Sequence, residues 1–142
     1  MAELNCSGLD DFMLSMQQIA ELPDEVVDEM LNAQADVVVE AQKRVGHAMG
    51  VEAPGSGVML RSIKKGKVKL RKGQRVLYVS PTGSRKRGGT RVRNAEIAFV
   101  NEFGKKDQKA RPFIRTGNEA SAEQTTNAAL EVYDRYLKSK NL

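Results

Sequence analysis

A chain of 142 residues has room for one domain, or two at most, and is long enough to fold without disulfides or metals. With 40% hydrophobic and 29% charged residues, wholesale disorder is excluded, and no apolar run approaches the roughly 18–20 residues that span a bilayer. The first residues lack the basic-then-apolar pattern of a secretory signal. One cysteine (Cys6) and one histidine (His47) allow neither an internal disulfide nor a usual structural zinc site; the lone cysteine fits a reducing cytoplasm or leaves the compartment open.

The net charge of +5 is the sum of two opposed halves. Residues 1–60 hold eleven acids and two bases (−9), and residues 61–142 hold twenty-one bases and seven acids (+14). No acid occurs between Glu52 and Glu96. Such a stretch attracts phosphates or an acidic protein surface, and charge alone does not choose between them.

In chain order, Asp10 is placed to cap a short helix whose Phe12, Met13, Met16 and Ile19 recur at spacings of three and four. Pro23 suits the first turn of a main helix over 23–49, and Asp24, Glu25, Asp28 and Glu29 match its dipole. Val26, Val27, Met30, Ala33, Val37, Val38, Ala41, Val45 and Ala48 form its predicted apolar stripe, and Gly50 is its stop. Gly46 is expected to weaken the last turn.

Residues 50–59 read as a loop. Val68 and Leu70, alternating with Lys67, Lys69 and Arg71, predict a strand over 60–71, and 72–74 turn it into a second strand over 75–80. Residues 81–94, with Gly83, Gly88 and Gly89 among basic side chains, read as a loop that is mobile until bound. Asn94 is placed to cap a short helix carrying Ile97, Val100 and Phe103 on one face and closed by Gly104. A final helix is expected over about 117–138, with Ala120, Ala128, Leu130, Tyr133 and Leu137 as buried candidates. The fold class is α+β: a small antiparallel sheet packed against the long helix and the C-terminal helix, in a single domain over 1–142.

Catalytic motifs are absent. The segment 81–90 lacks the Gly-x-x-x-x-Gly-Lys-Ser/Thr spacing of a phosphate-binding loop. Arg87-Gly88-Gly89 is a single unit of an RNA-binding-like tract, with no aromatic nearby for base stacking. The acids of 21–40 read as a solvated helix face, His47 as a helix-end residue, and Cys6 lacks a partner for nucleophilic chemistry. No catalytic residue, cofactor or metal ligand is expected, and the chain is not read as an enzyme.

The string Ala98-Phe99-Val100-Asn101-Glu102-Phe103-Gly104, a short basic spacer, and Ala110-Arg111-Pro112-Phe113-Ile114-Arg115 before a terminal helix resembles the head–tail joining (tail-completion) proteins of long-tailed double-stranded DNA phages. Ala53-Pro54, Gly55-Ser56-Gly57 and Leu60-Arg61-Ser62-Ile63 are similar to that family's upstream passage, and the long helix and Gly8-Leu9-Asp10 fall in its order. Asn101 interrupts the usual Val-Glu pair, Ser56 replaces a threonine, and the basic loop is longer than the pattern needs. The resemblance implies a virion protein of the neck, assembled in the host cytoplasm as a homo-oligomeric ring, a hexamer, at the head-proximal end of the tail. Its implied partners are head-closure (stopper) and tail-terminator proteins, with genome DNA passing non-specifically through the lumen and no membrane. Phe103, Gly104, Pro112 and Phe113 are the motif's core residues, both phenylalanines being expected as buried anchors.

The candidate subunit or DNA contacts are Arg61, Lys64, Lys65, Lys67, Lys69, Arg71, Arg85, Lys86, Arg87, Arg91, Arg93, Arg111 and Arg115. A free nucleic-acid-binding module using residues 61–93 is the alternative reading of the same bases.

Overall fold

The computed structural model describes residues 22–52 and 57–141. The helix expected after Asp10, Cys6, Gly8-Leu9-Asp10 and the 53–56 part of the upstream motif lie outside the described residues. The fold is α+β, as expected, with two long helices packed against small antiparallel ladders. Helix α1 (Asp24–Met49) begins after Pro23, whose carbonyl accepts from the Val26 and Val27 amides, and ends at left-handed Gly50. One short helical turn, α2 (Val58–Arg61), leads into β1 (Ile63–Lys65), β2 (Lys69–Arg71), β3 (Gln74–Val76) and β4 (Val79–Pro81). A second hairpin, β5 (Ser84–Arg87) and β6 (Thr90–Arg93), precedes α3 (Asn94–Phe103), α4 (Phe113–Ala120) and α5 (Ala122–Ser139).

The core gathers where the C-terminal half of α1 meets α2, β1, α3 and α4: Val39, Val51, Met59, Leu60, Ile63, Ile97, Ala98 and Phe113 form one buried cluster. Its placement corrects the expected stripe on α1. The deepest positions are Ala35, Val39, Ala41, Gln42 and Gly46, while Ala48 is exposed. Gly46 does not merely weaken the helix. A methyl group there would collide with the Leu60 side chain and sit 3.3 Å from Phe113 Cδ2, so its absence lets two core side chains reach α1. Helices α4 and α5 run antiparallel to α1: Gln42 Nε2 donates to Asn118 Oδ1 (2.9 Å) near one end, and Arg135 Nη2 to Glu29 Oε1 (3.0 Å) near the other.

The expected single C-terminal helix is broken at Ser121, whose buried hydroxyl donates to the Gly117 carbonyl (2.8 Å) and competes with the backbone ladder. Ala129 and Val132 are its buried residues, whereas Ala120 and Leu130, expected inside, are exposed. Val58, Met59 and Leu60 are helical rather than loop or strand. The Glu52 carboxylate holds that turn from outside, accepting from the Met59 amide (2.6 Å) and, at 3.4 Å, from the Leu60 amide.

The first hairpin forms as expected but in two registers. Ile63 pairs with Pro81 and Lys65 with Val79, whereas Lys69 pairs with Val76 and Arg71 with Gln74. The Gly66 amide still bonds the Tyr78 carbonyl (2.8 Å), so Lys67 and Val68 together oppose Leu77 in a β-bulge. Beyond the bulge the hairpin has little to pack on, and Leu70, expected on an apolar face, is 71% exposed.

The expected loop over 81–94 is the β5–β6 hairpin. Gly88 (φ 58°) and Gly89 (φ 83°) both take the left-handed region that a two-residue turn of this kind requires. Asn94 does not cap α3. Its buried side chain donates to the Thr82 carbonyl (2.7 Å) and its amide to the Gly83 carbonyl (3.0 Å), fastening the hairpin base.

The first hairpin is also tied to α1 by charge. Arg75 donates Nε to Asp28 Oδ1 (2.5 Å) and Nη2 to Asp28 Oδ2 (2.6 Å). These hydrogen bonds hold the Asp28 carboxyl below its ordinary pKa, against the desolvation that would raise it. A depressed carboxyl pKa contributes stability above the unfolded pKa and loses it as pH falls through the folded one. Asp28→Asn is therefore expected to lower the urea midpoint at neutral pH. The difference from wild type should close in acid, below the ordinary carboxylate range. An equal deficit throughout the titration would contradict this account.

Candidate functional site

The two motif segments, 98–104 and 110–115, fold into one unit. The Asn101 carbonyl accepts from the Arg111 amide (2.6 Å), and Glu102 accepts from the Ile114 amide (2.8 Å) and the Arg115 amide (3.0 Å). Glu102 thereby supplies both a hydrogen-bond acceptor and a negative charge to the start of α4. Around Pro112 (φ −76°, ψ 65°) the Phe113 amide bonds the Arg111 carbonyl (2.7 Å), an inverse γ-turn that drives Phe113 into the core. Phe113 is completely buried, as expected.

Gly104 closes α3 at φ 77° with almost no room beside it: a Cβ would lie 2.8 Å from the Gln108 carbonyl oxygen and 2.9 Å from the Ala110 nitrogen. Gly104→Ala is expected to cost about 1–3 kcal/mol through left-handed strain alone, with the clash added. Thermal unfolding of that variant checks this, and wild-type stability would refute the close approach.

Phe103 departs from the expectation of a buried anchor. It is 68% exposed, its ring centroid 4.8 Å from that of Phe99, itself 63% exposed. The inward face of α3 is taken by Asn94, Ile97, Ala98 and Asn101, and at 100° per residue positions 99 and 103 fall on the opposite side. Beside this pair, Glu102, Phe103, Ala110, Pro112 and Arg115 line a shallow groove of about 250 Å³.

On another side of the motif unit is an open cleft of about 840 Å³. Arg85, Lys86 and Arg87 of β5 form one wall, Lys105 and Gln108 of the turn after α3 another, and Arg111 stands among them. Val51, Ile97 and Asn101 also line it, with Glu52 and Asp107 as its acids. Arg111 Nη1 donates to the Gly50 carbonyl (2.6 Å), so its charge sits at the negative end of α1 and fixes that wall. Arg85 Nη1 lies 3.6 Å from Glu52 Oε1, itself occupied in holding α2.

The remaining candidate bases divide between places. Lys86 directly opposes Arg91 across the second hairpin, an arrangement of like charges that costs stability in the absence of an anion. Arg91 Nε donates to Ser84 Oγ (2.8 Å), and Arg93 pairs with Glu96 (3.0 Å). Arg61 closes α2, and Lys64 and Lys65 lie on β1, where Lys65 pairs with Asp36 of α1 (2.8 Å). Lys67 lies in the bulge, Lys69 and Arg71 on exposed β2, and Arg71 Nη1 donates to the Tyr78 hydroxyl (2.7 Å). Arg115 stands at the start of α4 beside Phe103.

The structure therefore brings Arg85, Lys86, Arg87 and Arg111 together and sets the 61–71 bases apart. The opposed halves also do not lie cleanly on opposite sides, because α1 acids pair with Lys65, Arg75 and Arg135 of the same chain. Sequence reasoning passed over Lys105, Gln108 and Phe99. The signal for Phe99 was its spacing of four from Phe103 on the side of α3 away from Ile97.

Among the described residues no group of three or more His, Cys, Asp or Glu could hold a metal ion, and no helix is long and apolar enough to cross a membrane. No protein-family model matches this chain, and comparison with curated proteins and with solved structures finds no match.

Proposed function

We propose that this chain is a structural, ring-forming subunit of the neck of a long-tailed phage, joining the tail to head-closure proteins around the genome. The observation that carries the reading is the motif unit. The two segments on which the resemblance rests bond directly to each other, and they present unlike surfaces, a basic cleft and an exposed aromatic pair. A ring built by head-to-tail contacts needs two different patches per copy, one meeting the other on its neighbour. Lys86, Arg87, Lys105 and Arg111 would face an acidic neighbour surface or the phosphates of DNA in the lumen, without reading sequence. The proposed partners are further copies of this chain in a hexamer and the head-closure and tail-terminator proteins; the proposed location is the virion neck. No catalysis, cofactor or metal enters the proposal.

Free nucleic-acid binding is the second reading, favoured by the like-charge pair Lys86–Arg91 and by the hairpin's five bases. The test of the first reading is electron microscopy of the purified full chain, with complementation of a phage lacking the gene. Closed rings and restored joining of heads to tails are expected. A chain that stays monomeric and leaves heads and tails unjoined would overturn it.

A further inference from the structure

We infer that the Phe99–Phe103 patch is the docking site for residues 9–20 of a second copy of the same chain. The inference deepens and rests on the neck-ring reading, in which arms passed head to tail from copy to copy close into a ring.

Two adjacent phenylalanines, 63% and 68% exposed in a chain with only four, form an apolar surface without cover among the described residues. Arg115 borders the groove, and the turn following Phe103 carries Lys106 and Lys109. None of these three bases has an ion-pair partner among the described residues. The occupant must therefore be apolar along one side and acidic along another. Residues 1–21 meet that description: Phe12, Met13, Met16 and Ile19 recur at helical spacing, and Glu3, Asp10, Asp11 and Glu21 are accompanied by no base.

Reach assigns the segment to another copy. The patch lies at the far end of α1: Glu102 bonds the start of α4, Phe113 touches Gly46, and Arg111 bonds Gly50. From Asp24 to Gly46 the helix rises about 33 Å at 1.5 Å per residue. Residues 20–23 span at most about 14 Å when extended, and the helix that the sequence predicts over 10–19 would add about 15 Å. The apolar stripe of a chain's own segment thus falls short of its own patch, whereas a neighbour can present the patch beside it.

The test uses two full-length variants in a Cys6→Ser background, Met16→Cys in one and Ala110→Cys in the other, mixed and mildly oxidised. The expected result is a disulfide-linked pair of unlike chains. Adding Phe99→Ser and Phe103→Ser to the Ala110→Cys chain should lower its yield by about tenfold, as loss of two central aromatic anchors would. Both phenylalanines are exposed, so unchanged thermal unfolding of that variant is expected. Absence of the linked pair, a yield indifferent to the phenylalanines, or a cross-link within one dilute chain carrying both cysteines would each overturn the inference. Rings of the intact chain without the cross-link leave the neck reading standing and remove the arm. The cross-link without rings keeps the arm contact and removes the closed ring.

Discussion

Phe113→Ala is expected to remove about 3–5 kcal/mol of folding stability. The ring is fully buried at the meeting point of α1, α2 and the motif unit, against Gly46, and belongs to the cluster of Leu60, Met59 and Ile63. That site collapses poorly, because Pro112 and the Glu102 bonds hold the start of α4 while Arg111 ties the preceding turn to Gly50. A domain of this size has only about 5–15 kcal/mol in all, so much of it would go. Urea unfolding at neutral pH measures the loss, and a deficit below about 1 kcal/mol would mean that the core does not close around this ring. Phe103→Ala, by contrast, should change stability little, since its ring already lies mostly in solvent. The pair of variants separates the two phenylalanines that a burial rule treats alike.

The second large effect is on assembly. Changing Lys86, Arg87 and Arg91 together to glutamate should leave the fold intact, because all three side chains are exposed and the backbone ladder, the glycine turn and the Asn94 bond remain, the one side-chain bond lost being the exposed one from Arg91 to Ser84 Oγ. Under the neck reading, joining of tails to heads should fall at least about tenfold, because charge complementarity governs register and association rate. The same reversal at Lys67, Lys69 and Arg71 should matter less, since those bases lie on the other hairpin, away from the cleft. Under the nucleic-acid reading, the first triple variant instead loses duplex affinity, and the slope of log K against log salt falls by about one for each phosphate contact removed. Complementation and duplex binding at two salt concentrations decide between them. Normal joining with lost duplex binding would defeat the interface reading.

How much of this was legible in the sequence depended on where each signal resided. Helix α1 announced itself by its acids after Pro23 and its stop at Gly50, and the first hairpin by its alternation and the 72–73 turn. Which side of α1 lies deepest was not legible, because apolar residues surround much of it and both faces are packed: α4 and α5 on one, α2 and β1 on another. The second hairpin was missed because Val92 is its sole apolar residue, leaving no period-two pattern, although Gly88-Gly89 between two equal stretches is itself a hairpin signal. The turn at Val58–Arg61 was hidden behind a glycine- and proline-rich approach, and its stabilising carboxylate comes from Glu52, six residues before it. Of the cleft's bases, Arg85, Lys86, Arg87 and Arg111 were named individually and Lys105 was not, and their grouping was not legible. Arg85 to Arg87 belong with Lys105 and Arg111, roughly twenty residues onward, rather than with the run beginning at Arg61.

The bulge opposite Leu77 joins two registers of one hairpin: Lys67 and Val68 oppose a single residue there, while the 72–73 turn alone sets Leu70 across from Arg75. Arg75 faces α1, where Asp28 holds it. Deleting one residue of the bulge would leave Leu70 across from Arg75, because the turn sets that pair, and would remove only the local bend and its added twist. Lengthening both arms equally at the 72–73 tip preserves every face. The outer half of the hairpin can therefore vary in length symmetrically, which makes that tip the natural place to graft an epitope or a label without disturbing the core.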